Sequence, residues 1–464
     1  MRHVLLIDFG STYTKVTAVD LLEKRLLGTA ASYTTVQTDI NEGLSRGLQL
    51  LAEKIGPVEF DARYACSSAA GGLKMISCGL VPELTAEAAR MASLGAGAKV
   101  MKTYAYQLTE EDAEEIGILA PDIFLLTGGT DGGNKDTILD NARMLAKIPR
   151  NFPVIVAGNR SASAECRRIL EEAGKQALVC ENVMPRFNQL NIQPAQDQIR
   201  QLFLERIIKA KGLSAASQLI SGIMMPTPAA VLSAMEVLSK GTEGERGLGD
   251  LVAVDVGGAT TDVYSMSDGE PTRVNTVLKG LPEPYAKRTV EGDIGMRYSA
   301  AGIAEAVGIP ALARIAGLSE ERTRALLRLI SEKTDTLPET EELAALDFAL
   351  ASMAVKVGMT RHAGRIEKVF TPMGEAYLQE GKDLSQVSRV IVTGGSLIHA
   401  KRAAEIAENA LYDIADPGSL KPLRAEILLD KEYILSAMGL LAQHAPETAI
   451  KIMKEELLSY GITK

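Results

Sequence analysis

Two short stretches of this 464-residue chain set residues capable of phosphate chemistry at matching offsets. Residues 4–18 read VLLIDFGSTYTKVTA, and residues 252–265 read VAVDVGGATTDVYS. Each is an apolar strand, an aspartate, a glycine two residues on, a run of hydroxyl residues and a second strand. Asp8 and Asp255 hold the first position, Gly10 and Gly257 the third, Lys15 and Asp262 the eighth. Glycine lets a backbone approach a ligand closely. The N–H groups and hydroxyls of Gly10, Ser11, Thr12 and Tyr13, and of Gly257, Gly258, Ala259, Thr260 and Thr261, could then surround a phosphate. A carboxylate beside a phosphate repels it unless a divalent cation or water lies between. Asp8 and Asp255 therefore read as Mg²⁺ positions, Asp262 joins them as a group able to polarise water, and Lys15 could balance phosphate charge. Either turn alone reads equally well as a plain hairpin, where Asp, Gly and Thr are common. Two at the same offsets predict a clamp, one turn on each side of a polyphosphate.

The elements that must position these residues follow the same twofold pattern. VLLID, TKVTAVD and RLLGTAAS predict a three-strand meander, and leucines at helical spacing predict a helix over INEGLSRGLQLLAEKIG. ARYACSS predicts a strand leading into the small-residue turn AAGGLK. From Asp122 strands alternate with amphipathic helices, the pattern of a parallel α/β unit. KGTEGERGLGD, residues 240–250, reads as a linker, after which the strand–turn–strand pattern restarts with TRVNTVLKG as a possible third strand. Residues 300–380 read as mostly helical, VSRVIVTGGSLI as a strand ending in a glycine turn, and KEYILSAMGLLAQ with the tail after it as helical.

Composition excludes several classes. Hydrophobic residues at 46% and charged residues at 23% are ordinary for a globular chain, and a net charge of −9 leaves no basic footprint for nucleic acid or an anionic membrane. The 4 His and 4 Cys are scattered without metal-ligand spacing. The opening apolar run is too short for a signal peptide, and no unbroken apolar stretch approaches 20 residues. A cytoplasmic protein without nucleic-acid or membrane partners is the expectation.

Further candidates carry two readings each. Lys74 follows the glycines of AAGGLK and is either a phosphate contact or a solvated surface lysine. LTGGTDGGN sits where a strand meets a helix, so Gly128, Gly129 and Asp131 suit phosphate at a helix N-terminus or a tight turn in an inserted subdomain. Cys66 reads as a small buried residue.

The hairpins resemble the phosphate motifs of the actin-like ATPase superfamily, shared by sugar kinases, actin and the ATPase domains of heat-shock chaperones. MPTPAAVLSAMEVL is similar to its first connecting helix, and YILSAMGLLA to the second. Val390 to Leu397, with Gly394, Gly395 and Ser396, is similar to its adenosine motif, and EGDIGMR to the turn after the second phosphate motif. The resemblance implies two ribonuclease H-like lobes, ATP and Mg²⁺ in a cleft, and an α/β insertion in the first lobe. The implied divisions are 1–248 for the first lobe, with the insertion near 100–215, 249–435 for the second, and 436–464 for C-terminal helices packing back on the first. A basic residue of the helix MAVKVGMTRHAG, Lys356, is the implied adenine contact, with no such role for His362. Met225 stands where the family often carries a water-aligning Glu or Gln, which implies slow hydrolysis unless another group, such as Asp131, serves instead.

LIDFGSTYTK, CSSAAGGLKM, LTGGTDGGN, VAVDVGGATTDVYS and VIVTGGSLI together resemble the glutamate-mutase-associated MutL family. That resemblance implies an ATP-driven chaperone that reactivates an adenosylcobalamin-dependent mutase, glutamate mutase or an aminomutase, by removing damaged cobalamin. No D-x-H-x-x-G cobalamin motif is present. A small-molecule kinase of the same fold and a nucleotide-binding scaffold are the alternatives.

Overall fold

The computed structural model describes residues 2–10, 12–34, 40–68, 73–210, 223–372 and 374–463. The chain forms two compact units, one of residues 1–234, 280–282 and 436–452, the other of 235–279, 283–435 and 453–464.

In the first unit, HVLLIDF forms the central strand β1 (His3–Phe9), buried on both faces from Val4 onward. The meander continues through β2 (Tyr13–Asp20) and β3 (Arg25–Tyr33), both antiparallel. On the other side β1 pairs in parallel with β4 (Ala62–Ser67). Leu5, Ile7, Phe9, Val16 and Ala18 bury one face of this sheet together with Leu44 and Leu51 of the helix Ile40–Ile55. Asp8 and Lys15, opposite each other in the β1–β2 register, therefore lie on the other face.

A second sheet of the same unit is wholly parallel. It contains β5 (Lys74–Gly79), β6 (Lys99–Ala105), β7 (Ile123–Leu126), β8 (Val154–Val156) and β9 (Ala177–Val179), in the order β6-β5-β7-β8-β9. Helices Glu110–Leu119, Asp136–Lys147 and Arg160–Glu172 connect its later strands, and Ile76, Phe124, Leu126, Val154 and Val156 form the core beneath them. The sheet begins at Lys74, earlier than residue 100, because apolar KMISCG pairs with both β6 and β7. The chain then returns to the first sheet as β10 (Ile223–Pro226), parallel to β4, giving the order β3-β2-β1-β4-β10.

The second unit repeats that topology. β11 (Leu251–Val256) and β12 (Thr261–Met266) are antiparallel, β12 pairs with β14 (Ala286–Glu291), β11 pairs in parallel with β17 (Arg389–Thr393), and β17 with β18 (Ala425–Leu429). The order β14-β12-β11-β17-β18 matches the first sheet strand for strand, and β19 (Leu458–Thr463) extends its edge. Both are ribonuclease H-like sheets of an actin-like protein.

Three expectations are corrected. TRVNTVLKG does not supply the third meander strand: its β13 (Thr276–Lys279) is largely exposed and joins a separate three-stranded sheet. The half-buried AKRTVE takes the third place, as β14. Residues 300–380 are helical only to His362, where Gly364 pairs with Lys382 and the alternating RIEKVFT forms β15 (Arg365–Thr371), antiparallel to β16 (Gly374–Glu380). The tail after helix Pro446–Glu456 ends as the strand β19, not as a helix.

Helix Glu341–His362 is long and apolar enough to cross a membrane by length and composition, but most of it is buried within this unit. An all-round apolar helix needs such cover. Leu346, Leu350, Ala354 and Met359 pack with Val252, Val254 and Val263 of the sheet. Replacing the fully buried Leu350 with alanine should cost about 2–5 kcal/mol. Urea unfolding checks this, as a lower midpoint of the transition that reports the second unit.

Candidate functional site

Each hairpin closes through one backbone bond. Gly10 N donates to Tyr13 O at 3.1 Å, and Gly257 N to Thr260 O at 2.9 Å. A Cβ on Gly10 would lie 2.6 Å from Tyr13 O, and one on Gly257 2.9 Å from Thr260 O, so neither position takes a side chain without shifting the turn. Ser11 lies outside the described residues. Thr12 is exposed and accepts Thr34 N at 2.8 Å, while Tyr13 stands edge-on to Tyr33 at 6.0 Å, both rings exposed.

Asp8 is 2% exposed and well supplied with donors. Thr227 Oγ1 donates to its Oδ1 at 2.6 Å and Ser436 Oγ to its Oδ2 at 2.9 Å. Lys15 Nζ approaches Oδ2 at 3.5 Å and Cys66 Sγ approaches Oδ1 at 3.6 Å. Burial, followed by the Asp8 charge, pushes the Cys66 thiol well above its usual range, which leaves it a poor nucleophile. Thr227 and Ser436 escaped the sequence reading, although each opens a helix read as a connecting element. The available signal was a hydroxyl residue in the first turn of both.

In the second hairpin Asp255 faces Asp262 directly across β11–β12. Like charges in that register destabilise a sheet. Arg288, from β14 and 5% exposed, offsets this by donating Nε at 2.9 Å and Nη2 at 2.6 Å to Asp262 Oδ1. Burial opposes the Arg288 charge, but Asp262 and Tyr264 together hold the guanidinium above its usual pKa. Thr260 Oγ1 reaches Asp262 Oδ2 at 3.2 Å, and Thr261 is fully buried. Asp262 is thus a paired carboxylate, and its partner went unnoticed in the sequence. The clue was an arginine inside a strand of the buried sheet.

The turn Gly257–Ala259 is gripped from EGDIGMR onward. Met296 N donates to Gly257 O at 3.0 Å, Arg297 N and Tyr298 N donate to Gly258 O at 2.9 and 3.0 Å, and Ser299 Oγ donates to Ala259 O at 2.8 Å. Next door, at the end of β17, Gly394 adopts φ 106°, and a Cβ there would meet Val256 O at 2.3 Å. Ser396 Oγ approaches that same Val256 O at 3.4 Å. Gly258 and Gly395 differ from these structural glycines. A Cβ on Gly395 would meet nothing within 4 Å, and one on Gly258 only Tyr298, at 4.0 Å. Neither has a backbone angle that demands glycine. The open space above adjacent strand ends fits a ligand's close approach. Among the described residues no cluster of three or more His, Cys, Asp or Glu gathers to hold a metal. Mg²⁺ commonly keeps several waters and takes one or two carboxylates plus phosphate, so the carboxylates present are compatible with it.

The remaining candidates sit elsewhere. Lys74 begins β5 of the parallel sheet, its side chain exposed and its N–H on Asp122 at 2.9 Å. Gly128 and Gly129 adopt φ 143° and 71°, and a Cβ on Gly129 would lie 2.1 Å from Asn134 O. Asp131 Oδ1 accepts from Arg160 N at 2.9 Å and Asn182 Nδ2 at 3.0 Å, which ties the loop to the next helix. In the structure this trio lies in a tight turn after β7. Met225 is buried in β10 opposite Cys66, and Thr227, two residues on, donates to Asp8. Lys356 Nζ is engaged by Asp413 at 2.6 Å, which holds the Asp413 carboxyl below its usual range. His362 is fully buried between Thr289 and Ser265, each at 2.8 Å.

Two sheets of one strand order, each with an aspartate–glycine hairpin on its central strand, define an actin-like α/β protein of two units. The family model for MutL protein matches residues 4–457. Protein MutL of Clostridium tetanomorphum is 51% identical over 460 residues, 99% of this chain and 100% of that one. The chain belongs to the MutL family. Among solved structures, gluconate kinase from Lactobacillus acidophilus is similar at a TM-score of 0.36 and 10% identity, covering 99% of this chain and 93% of that one. Xylulose kinase from Bifidobacterium adolescentis is similar at a TM-score of 0.33 and 13% identity, covering 100% and 96%.

Arg288→Met should strand the Asp262 carboxylate among buried groups and cost about 3–5 kcal/mol. Urea denaturation measures this, and adding Asp262→Asn to the variant should recover part of the loss.

Proposed function

We propose that this protein is an ATP-dependent reactivating chaperone for an adenosylcobalamin-dependent mutase, glutamate mutase or a related aminomutase. The observation that carries the nucleotide part is the pair of glycines, Gly258 and Gly395, that neither the backbone nor the packing requires. They flank the end of β11, next to Asp255 and the hydroxyl of Thr260. Their N–H groups are suited to phosphate, and nearby Ser396 extends the donor set. In the first unit, Gly10, Thr12 and Lys15 of its own hairpin are likewise suited to phosphate. Mg²⁺ would be held through water by Asp255, and when bound it neutralises charge on the phosphates. Hydrolysis is slow, because buried Met225 offers no polar group to align water.

The partner half of the proposal rests on membership of the MutL family and on the absence of a cobalamin motif from the sequence. A mutase that has lost its adenosyl group keeps inert cobalamin, and release needs a driven opening. A partner supplies only its differential affinity for the open state, and nucleotide binding can set that affinity. The work is placed in the cytoplasm.

Calorimetry should show Mg²⁺-dependent ATP binding, weakened about tenfold or more by Gly395→Val and by Asp255→Ala. Turnover should fall well below ~10 s⁻¹. Glutamate mutase inactivated with hydroxocobalamin should recover with this protein, ATP, Mg²⁺ and fresh adenosylcobalamin, and not without ATP. No binding of ATP by the parent protein would remove the nucleotide reading. Binding without any cobalamin release, together with phosphorylation of a metabolite, would replace the chaperone reading with a kinase.

A further inference from the structure

The two hairpins share a backbone but not an electrostatic plan, and Asp8 shows the difference. A carboxylate offers about four acceptor sites. Those of Asp8 face Thr227 at 2.6 Å, Ser436 at 2.9 Å, Lys15 at 3.5 Å and Cys66 at 3.6 Å. Two donors are short and two are long. The short ones are hydroxyls fixed at helix starts: Thr227 is the first residue of helix Thr227–Lys240, and Ser436 the second of helix Leu435–Ala442. The long ones are a flexible ammonium and a weak sulfur donor. In the second unit the register equivalents are different groups. Asp262 stands in place of Lys15 across the hairpin, and Thr393 stands in place of Cys66 on the neighbouring strand. Thr393 gives its hydroxyl to Asp430 at 3.0 Å, and Asp430 also accepts Ile434 N at 2.9 Å.

We propose that Thr227 and Ser436 are positioning residues for Asp8 in ATP turnover, supplying through that carboxylate the polar anchor absent at Met225, and that Lys15 is its exchangeable partner. In this scheme nucleotide binding draws the Lys15 ammonium to a phosphate oxygen, and a water takes the acceptor site vacated on Asp8 Oδ2. The exchange swaps one long contact for another donor, while the two short hydroxyl bonds stay in place. Asp8 Oδ2 then orients that water from a position that two separate helices keep still. A buried carboxylate held in this way loses little entropy when it engages the water, which is the advantage of preorganisation. The inference rests on the ATP reading above, and it concerns which residues set the rate once nucleotide is bound.

The test separates rate from affinity in the full-length protein. Thr227→Val and Ser436→Ala should each lower kcat for ATP about tenfold or more, with the calorimetric Kd for ATP–Mg²⁺ held within about threefold of the parent. Thr227→Ser should return most of the rate, because the hydroxyl is what acts. Lys15→Met should behave in the opposite sense and weaken Kd about tenfold. Thermal melts with and without ATP–Mg²⁺ give a readout independent of turnover, and the ligand-induced rise should persist in Thr227→Val and Ser436→Ala but shrink in Lys15→Met. If Thr227→Val does not fold, Ser436→Ala carries the same comparison. Unchanged kcat in folded hydroxyl variants would overturn the inference while leaving ATP binding intact. Loss of rate and affinity in equal measure would also overturn it, as a structural role. A parent protein that binds no ATP would instead sink the nucleotide reading itself.

Discussion

A glycine N–H turned back onto a carbonyl three residues ahead closes both hairpins, at Gly10 and at Gly257. Most of the candidate site depends on that closure. It sets the first and eighth hairpin positions directly across from each other, so whatever those residues are, their side chains share one face of the sheet. The opposite face is committed to the core, by Leu5, Ile7 and Phe9 in one unit and by Val252, Val254 and Val256 in the other. Polar chemistry is thereby confined to a single side of each sheet.

From that shared frame the two units diverge through charge. The first pairs an aspartate with a lysine and adds two hydroxyls, so Asp8 is satisfied within the protein. The second sets two aspartates side by side and recruits Arg288 from the next strand to hold one of them. The remaining carboxylate, Asp255, lies beside the glycines that leave room for a ligand. A duplicated backbone has thus become two distinct chemical environments by substitutions at the eighth position and its neighbours.

The parallel sheet of the first unit has a core of its own on one face, and on the other Met75, Ile123, Leu125 and Ile155 share the core of the hairpin's sheet. Its glycine loop is tied down by Asn159 and by Asn182. Loops with several glycines and an aspartate look alike in sequence whether they face a ligand or close on themselves, because both uses need the same conformational freedom.

The sequence by itself determined the duplicated hairpins, the meanders that carry them and the alternating strands and helices of the parallel sheet. Each of these follows from short-range periodicity and from glycine positions that a turn demands. Family membership was legible for the same reason, since its motifs are local. Tertiary structure decided the rest. TVLK and AKRTVE are both short, mixed segments, and only burial beside β12 selects the second as the third strand. Thr227, Ser436 and Arg288 matter through partners up to 428 residues away along the chain, and no local pattern records such a distance. A hydroxyl at a helix start is an ordinary capping residue until the fold sets a buried carboxylate against it.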